Sequence, residues 1–226
     1  MPRYGREADA TSSVIESIDR PRSNFTLIDA LFPTAPSIGP IRRVFSQARS
    51  HNAKTLVVDQ LDPRSAADLL EEAEDLQTCL GAPPTSRILR LSFFTQAFGA
   101  AQDIESLKDD CFIGYAIIKE DRVSGGYSKS RIYESVIPAG GRENSFIRGA
   151  QEWPCRVGQR VFRAGGYLYA QQNGATNSCA HVACRTVAAR FHPDGDMTYR
   201  EMNTLLGIDH IQTRADSGLR HREKIT

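Results

Sequence analysis

The centre of the chain carries three apolar runs rich in β-branched and aromatic residues, and this feature constrains its fold most. The runs are residues 87–94, 111–118 and 131–137, and residues 55–59 form a shorter run of the same kind. Such residues favour β-strands. Segments with the 3.6-residue apolar period of helices lie on both sides of these runs. The order of elements is therefore mixed, and it predicts an α+β fold with a strand-rich centre and a helical end.

Periodic apolar positions predict the helices. They occur at residues 41–51, 65–79, 179–191 and 198–206. Ser65 is the expected N-cap of the second helix because a hydroxyl side chain can accept a hydrogen bond from a free backbone N–H. Thr198 and Glu201 have the spacing of a capping box, which predicts the start of the fourth helix, and Gly207 is expected to end it.

Composition divides the chain into three regions. Residues 1–20 are polar and charged, and we expect a flexible N-terminus with one short helical turn. Residues 21–165 are expected to form an N-terminal α/β region, and residues 166–226 a helical region. Near this boundary a glycine pair separates residues 160–163 from 167–169, which predicts a β-hairpin.

The overall composition argues against several classes of partner. The 226 residues include 28 basic and 27 acidic ones, so the net charge of +1 gives no reason to expect nucleic acid. No apolar run approaches the roughly 20 residues of a membrane helix, and no signal peptide is visible, so no membrane partner is expected. Five cysteines form an odd, scattered set, which fits a reducing, cytoplasmic location.

A polar, turn-forming run at residues 171–178 gives way to an apolar helical pattern, and Cys179 lies at the break. The N-terminus of a helix carries unpaired N–H groups and the positive end of the helix dipole. A thiol in that position is biased toward the nucleophilic thiolate. Gln171 and Gln172 precede it, and a glutamine amide can donate a hydrogen bond to an oxyanion. A purely structural cysteine is the alternative, since most buried cysteines only pack.

Gln172, followed seven residues later by Cys179 and Ala180 at the start of a small-residue helix, resembles the papain-like cysteine peptidases. It looks most like the bacterial branch that includes the double-glycine leader peptidases. Two upstream segments are similar to strands of that branch, Arg-Leu-Ser-Phe-Phe at 90–94 and Phe-Ile-Gly-Tyr-Ala-Ile at 112–117. The resemblance spans about residues 87 to 206.

This resemblance implies a papain-like fold whose cysteine helix lies in residues 166–226. Cys179 would attack a peptide or related amide carbonyl, so the expected partner is a peptide or protein substrate. Gln172, or else Gln171, would stabilise the oxyanion together with the backbone N–H of Cys179. No metal or cofactor is expected.

The sequence departs from the family pattern at the catalytic base. Papain-like enzymes carry the catalytic histidine on a strand downstream of the cysteine helix, and no strand-like run follows Cys179 here. We therefore expect that histidine beyond the end of this chain, with His210 as the candidate within it. The alternative function is a non-catalytic interaction or regulatory protein that keeps the fold. Zinc binding by Cys179, His181 and Cys184 is less favoured, since these positions cannot share one helical face.

Overall fold

The computed structural model describes residues 1–19, 24–33, 39–138, 151–176, 181–188 and 196–207. The helices are α1 (Asn24–Leu31), α2 (Gly39–Ser50), α3 (Ala67–Leu80), α4 (His181–Ala188) and α5 (Tyr199–Leu206). The strands are β1 (Ala10–Ser17), β2 (Thr55–Leu61), β3 (Thr85–Phe94), β4 (Phe112–Val123), β5 (Tyr127–Val136), β6 (Gln151–Val157) and β7 (Arg160–Gly166). The structure is thus mixed α+β. No helix in the described ranges is both long and apolar enough to span a membrane.

The main sheet contains five antiparallel strands in the order β1-β2-β3-β4-β5, so each strand pairs with its neighbour in sequence. β6 and β7 form a separate two-stranded sheet. β2 and β4 are buried along almost their whole length. Covered on both faces, they contain the apolar runs 56–58 and 112–118, whereas the second half of β4 buries charged side chains such as Lys119 and Asp121.

Two hydrophobic cores lie on opposite faces of the main sheet. On the α2 face, Val44 and Phe45 of α2 pack against alternate strand residues such as Leu56. On the α3 face, Leu69 of α3 packs with Val57, the next residue along β2. The β6–β7 hairpin covers the same α3 face. This alternation follows from the two-residue period of strand side chains.

A β-bulge in β5 changes which side chains face α3. Ile117 pairs with Glu134 and Ile118 pairs with Ile132, so Tyr133 is an extra residue between them. A bulge redirects neighbouring side chains. Tyr133 belongs to the core of the α3 face, and Glu134 bonds there with Tyr115. The bulge therefore brings an aromatic residue and a carboxylate, adjacent in sequence, to the same face.

The expected flexibility of residues 1–20 is wrong for residues 1–19, which pack into the fold, whereas the expected short helical turn is present as a 3-10 turn at Gly5–Glu7. β1 forms one edge of the main sheet, and Tyr4 and Arg6 are buried. Most of β1 is exposed and polar, so it lacks the apolar alternation of a typical strand. Ser65 is also not the N-cap of α3, a position taken by Ala66. Its hydroxyl instead accepts a hydrogen bond at 3.0 Å from the Asp9 backbone N–H, just before β1.

A hairpin is present near residues 160–169, but its strands and its turn are not the predicted ones. The hairpin is formed by β6 and β7, and β7 runs through the glycine pair to Gly166. A Cβ added at Gly166 would lie only 3.0 Å from the carbonyl oxygen of Ile137. The glycine thus permits a close approach of two backbones rather than a turn. The capping box of Thr198 and Glu201 is confirmed at the start of α5.

Candidate functional site

Residues 169–171 extend the main sheet beyond β5. Tyr169 and Ser135 exchange two backbone hydrogen bonds, and the backbone N–H of Gln171 donates to the Ile132 carbonyl at 2.8 Å. The side-chain oxygen of Gln171 accepts a hydrogen bond at 2.9 Å from the backbone N–H of Ile132. Both ends of Gln171 are therefore bound to β5, which gives this residue a structural role.

Gln172 is the exposed member of the pair. Its side chain makes no hydrogen bond within the described part of the chain, unlike that of Gln171. Adjacent residues on an extended segment point in opposite directions. Gln172 is therefore the glutamine whose amide can reach an external group.

Asn173 fixes the chain directly after the two glutamines. Its side-chain oxygen accepts hydrogen bonds at 2.9 Å from the backbone N–H groups of Ala175 and Thr176. Its amide nitrogen donates to Glu72 of α3 at 3.2 Å, and the Tyr127 hydroxyl donates to its carbonyl at 2.9 Å. Asparagine favours such turns because its side chain can bond to the backbone ahead of it.

α4 is held firmly at its start and in its middle. Nε2 of His181 lies 2.6 Å from Oδ1 of Asn203, and the imidazole packs edge-on against Tyr199. One turn later, Nε of Arg185 donates to Asp196 at 2.6 Å, and Nη2 of Arg185 lies 3.0 Å from Glu134. Chain segments on both sides of residues 177–180 are thus anchored.

The expected nucleophile and base, Cys179 and His210, lie outside the described residues. In sequence, Cys179 comes three residues after Thr176 and two residues before His181. The described histidines, His51 and His181, are both held by hydrogen bonds, His51 through the Pro138 carbonyl at 2.9 Å.

A buried network of balanced charge lies beneath α4. Arg6 bonds to Glu134 at 3.1 Å and to Asp196 at 2.9 Å, while Arg185 contacts the same two carboxylates. Burial by itself would raise the pKa of Glu134, but attraction by Arg6 and Arg185 outweighs it and holds that pKa below its usual value. Glu134 therefore remains charged inside the protein, paired with two buried arginines.

Asp68 of α3 lies next to this network but bonds to no cation among the described residues. The Tyr133 hydroxyl donates to Oδ2 at 3.0 Å, and Oδ1 has no hydrogen-bond partner within the described residues. Burial, followed by the negative charge of Glu134, raises the pKa of Asp68 to about 7. The Gly5 N–H is close enough to oppose this shift without forming a well-directed bond. A cavity of about 20 Å³ adjoins Asp68, which is room for about one water molecule.

Glu72, one helical turn further along α3, differs from Asp68 because it is paired with cations. It contacts Arg131 and lies 2.6 Å from the ammonium group of Lys119. Burial raises its pKa, but Arg131 and Lys119 together lower it to about 2. Neither Asp68 nor Glu72 was identified from the sequence. Nothing in their local pattern separates them from ordinary helix-surface carboxylates, because their partners lie on distant strands.

The described cysteines differ in environment. Cys155 is buried, and burial raises its pKa to about 12. Cys184 is exposed on α4, whereas His181 on the same helix is buried. Their spacing of three residues makes them neighbours on α4, so the expected separation concerns His181 and Cys179, and Cys179 lies outside the described residues. No group of three metal-ligating side chains occurs among the described residues.

Comparisons with known proteins returned no relatives: no protein-family model, no curated protein and no solved structure matches this chain.

Proposed function

We propose that this protein is a papain-like cysteine peptidase of the cytoplasm in which Cys179 is the nucleophile. The observation that carries the proposal is that the two glutamines differ in hydrogen bonding and in exposure. Gln171 is bound to β5, and this leaves the exposed Gln172 beside the anchored approach to α4. A fixed backbone with one outward amide is what an oxyanion donor requires, because preorganised donors stabilise developing charge without having to reorganise.

The reaction would proceed through a thioester. The Cys179 thiolate attacks the carbonyl carbon of a peptide bond, and the resulting oxyanion accepts hydrogen bonds from the Gln172 amide and the Cys179 backbone N–H. When the C–N bond breaks, a histidine supplies the proton to the leaving amine, and His210 is the candidate within this chain. Water then attacks the thioester and regenerates the thiol.

The first test is the pH dependence of iodoacetamide alkylation at each cysteine, measured by peptide mass spectrometry. Cys179 should react rapidly at about pH 6, because a stabilised thiolate persists below the usual thiol pKa of about 8.5. Cys184 of the same region is the matched control because it is exposed, and it should react more slowly than Cys179 at that pH. Equal rates for Cys179 and Cys184 would contradict a nucleophilic role.

A second test separates the two glutamines. Gln172→Ala should lower the turnover of a fluorogenic peptide amide about 100-fold or more, the usual effect of losing an oxyanion donor, with little change in stability. Gln171→Ala should instead lower the unfolding free energy by about 1 kcal/mol, since one hydrogen bond to β5 is lost. If Gln172→Ala leaves turnover unchanged, the proposed oxyanion donor is wrong.

The second candidate function is a non-catalytic interaction protein that keeps this architecture. The observation that favours it is the binding of His51 and His181 to other groups, which leaves no described histidine available as a base. In that case Cys179→Ala would leave peptide binding unchanged, and the unmodified protein would not hydrolyse any peptide in a mixed fluorogenic library.

A further inference from the structure

A groove with a cavity of about 300 Å³ lies on the α2 face, between α2 and the sheet edge formed by β5 and residues 167–171. Residues of α2 from Pro40 to Gln47, spaced on one helical face, form one wall. Ile132 of β5 contributes to the floor, and Tyr167 and Tyr169 form the opposite wall. The cavity reaches the lower limit of typical ligand pockets, about 300 Å³.

The polar groups of the groove are few and specific. Among the described residues that line it, Arg43 is the one that carries a full charge, and it is exposed. The hydroxyl of Tyr167 is buried and has no hydrogen-bond partner within the described residues. A buried hydroxyl without a partner is costly. A ligand with an apolar body, a hydrogen-bonding group and a negative charge would complement this lining.

The backbone beside the groove offers a template for an extended chain. Tyr169 and Gln171 direct their backbone groups toward β5, so those of Ala170 point to the other side. The N–H and C=O of Ala170 make no backbone hydrogen bond within the described part of the protein. Exposed strand edges of this kind accept an added peptide strand, whose alternate side chains then enter neighbouring pockets.

We propose that this groove binds an extended acidic peptide segment, with a bulky apolar side chain between Val44 and Tyr169 and a carboxylate against Arg43. The peptide backbone pairs with Ala170, and a peptide carbonyl accepts a hydrogen bond from Tyr167. This site does not depend on the chemistry of Cys179.

The test uses fluorescein-labelled octapeptides in a glycine-serine background and fluorescence anisotropy with the Cys179→Ala variant of the full chain. One peptide contains Asp-Phe, the second Asp-Ala and the third Lys-Phe. The Asp-Phe peptide should bind tightest. Replacing phenylalanine should weaken binding about tenfold or more, since burial of an aromatic side chain is lost. Replacing aspartate with lysine should weaken it about threefold, as expected for an exposed ion pair.

Two variants locate the binding. Arg43→Glu should reverse the preference between the Asp-Phe and Lys-Phe peptides, and Tyr169→Ala, a change in a half-exposed side chain, should weaken both. Arg42→Glu is the matched control, because it makes the same charge change on the same helix outside the groove. The proposal is overturned if no peptide binds, or if Arg42→Glu reverses the preference as well. It is also overturned if the groove mediates self-association that Arg43→Glu abolishes.

The proposed peptidase activity is tested separately, by Cys179 alkylation and by turnover in the unmodified protein. Binding by the Cys179→Ala variant without any turnover by the unmodified protein supports the groove and contradicts the peptidase. The opposite result is turnover that neither Arg43→Glu nor Tyr169→Ala changes, with no binding of the octapeptides. It would support the peptidase and contradict the groove.

Discussion

Replacing Asp68 with asparagine should stabilise the protein, and the gain should grow with pH. The pKa of this carboxyl rises from 3.8 to about 7 on folding, so the folded state keeps a proton that the unfolded state releases between these values. The folded state therefore binds more protons in that window, and the unfolding free energy falls as the pH rises. A pKa difference of about 3 between the two states, at about 1.36 kcal/mol per pH unit, amounts to about 4 kcal/mol above pH 7.

The Asp68→Asn variant avoids this cost because an amide does not titrate. The amide also fits the site: its oxygen can face the Gly5 N–H, and its nitrogen can donate to the Tyr133 hydroxyl, which accepts as well as donates. Near pH 3 the wild-type carboxyl is protonated in both states, so the two proteins should then differ by about 1 kcal/mol or less.

The assay is guanidinium unfolding followed by the fluorescence of Trp153, the single tryptophan, which is buried. The difference in unfolding free energy between Asp68→Asn and the wild type is measured at intervals from about pH 4 to about pH 8. It should increase steadily across that range. If this difference stays constant, Asp68 ionises in the folded protein as it does in the unfolded chain. If Asp68→Asn becomes less stable than the wild type as the pH rises, the carboxylate is stabilised by Arg185.

Three further predictions concern other parts of the fold. Glu72→Gln should destabilise the protein by about 3–5 kcal/mol at neutral pH because Arg131 loses a buried partner. In a pH series extended down to about pH 2, this loss should shrink as the pH falls from about 4.5 toward 2, where wild-type Glu72 becomes protonated. Thr198→Ala should cost about 1 kcal/mol in thermal unfolding, as one hydrogen bond of the capping box is lost, and an unchanged midpoint would contradict that role. Cys155 should resist alkylation at about pH 8 until the protein unfolds, whereas Cys184 should react in the folded state.

The strands at the centre of the sheet could be predicted from the sequence because they are buried on both faces. The apolar runs at 55–59, 87–94, 111–118 and 131–137 lie in strands of the main sheet to within one residue at their ends, and the regions predicted for α2, α3 and α5 are helical. β1 could not be predicted. As an exposed edge strand it has no buried face to impose alternation, and its stability comes from pairing with β2.

The buried charged residues could not be predicted from the sequence either. Lys119 and Arg131 lie in β4 and β5, where they could be taken for exposed residues, yet both are buried against Glu72. Only the folded sheet brings these side chains to one helix. The bulge that turns Glu134 inward has no sequence signal either, since it is defined by the register between two strands. At the candidate site, the sequence singled out Gln171 and Gln172 but could not show that Gln171 is bound to β5 while Gln172 is exposed.

The pairing of Arg6 with Asp196 has a consequence for the order of folding. These residues are 190 positions apart, and Arg3 likewise bonds to Glu201. During synthesis the β-meander can assemble while Asp196 is still absent, but Glu134 then has only Arg6 as a cation partner, since Arg185 also comes late. Contacts between such distant residues close last, so the network should be largely unformed at the folding transition state. Substitutions in it should therefore accelerate unfolding much more than they slow folding. Nascent chains that stop short of α4 would already have α3 and the β6–β7 hairpin over this face, but their Arg6–Glu134 pair would lack both Arg185 and Asp196.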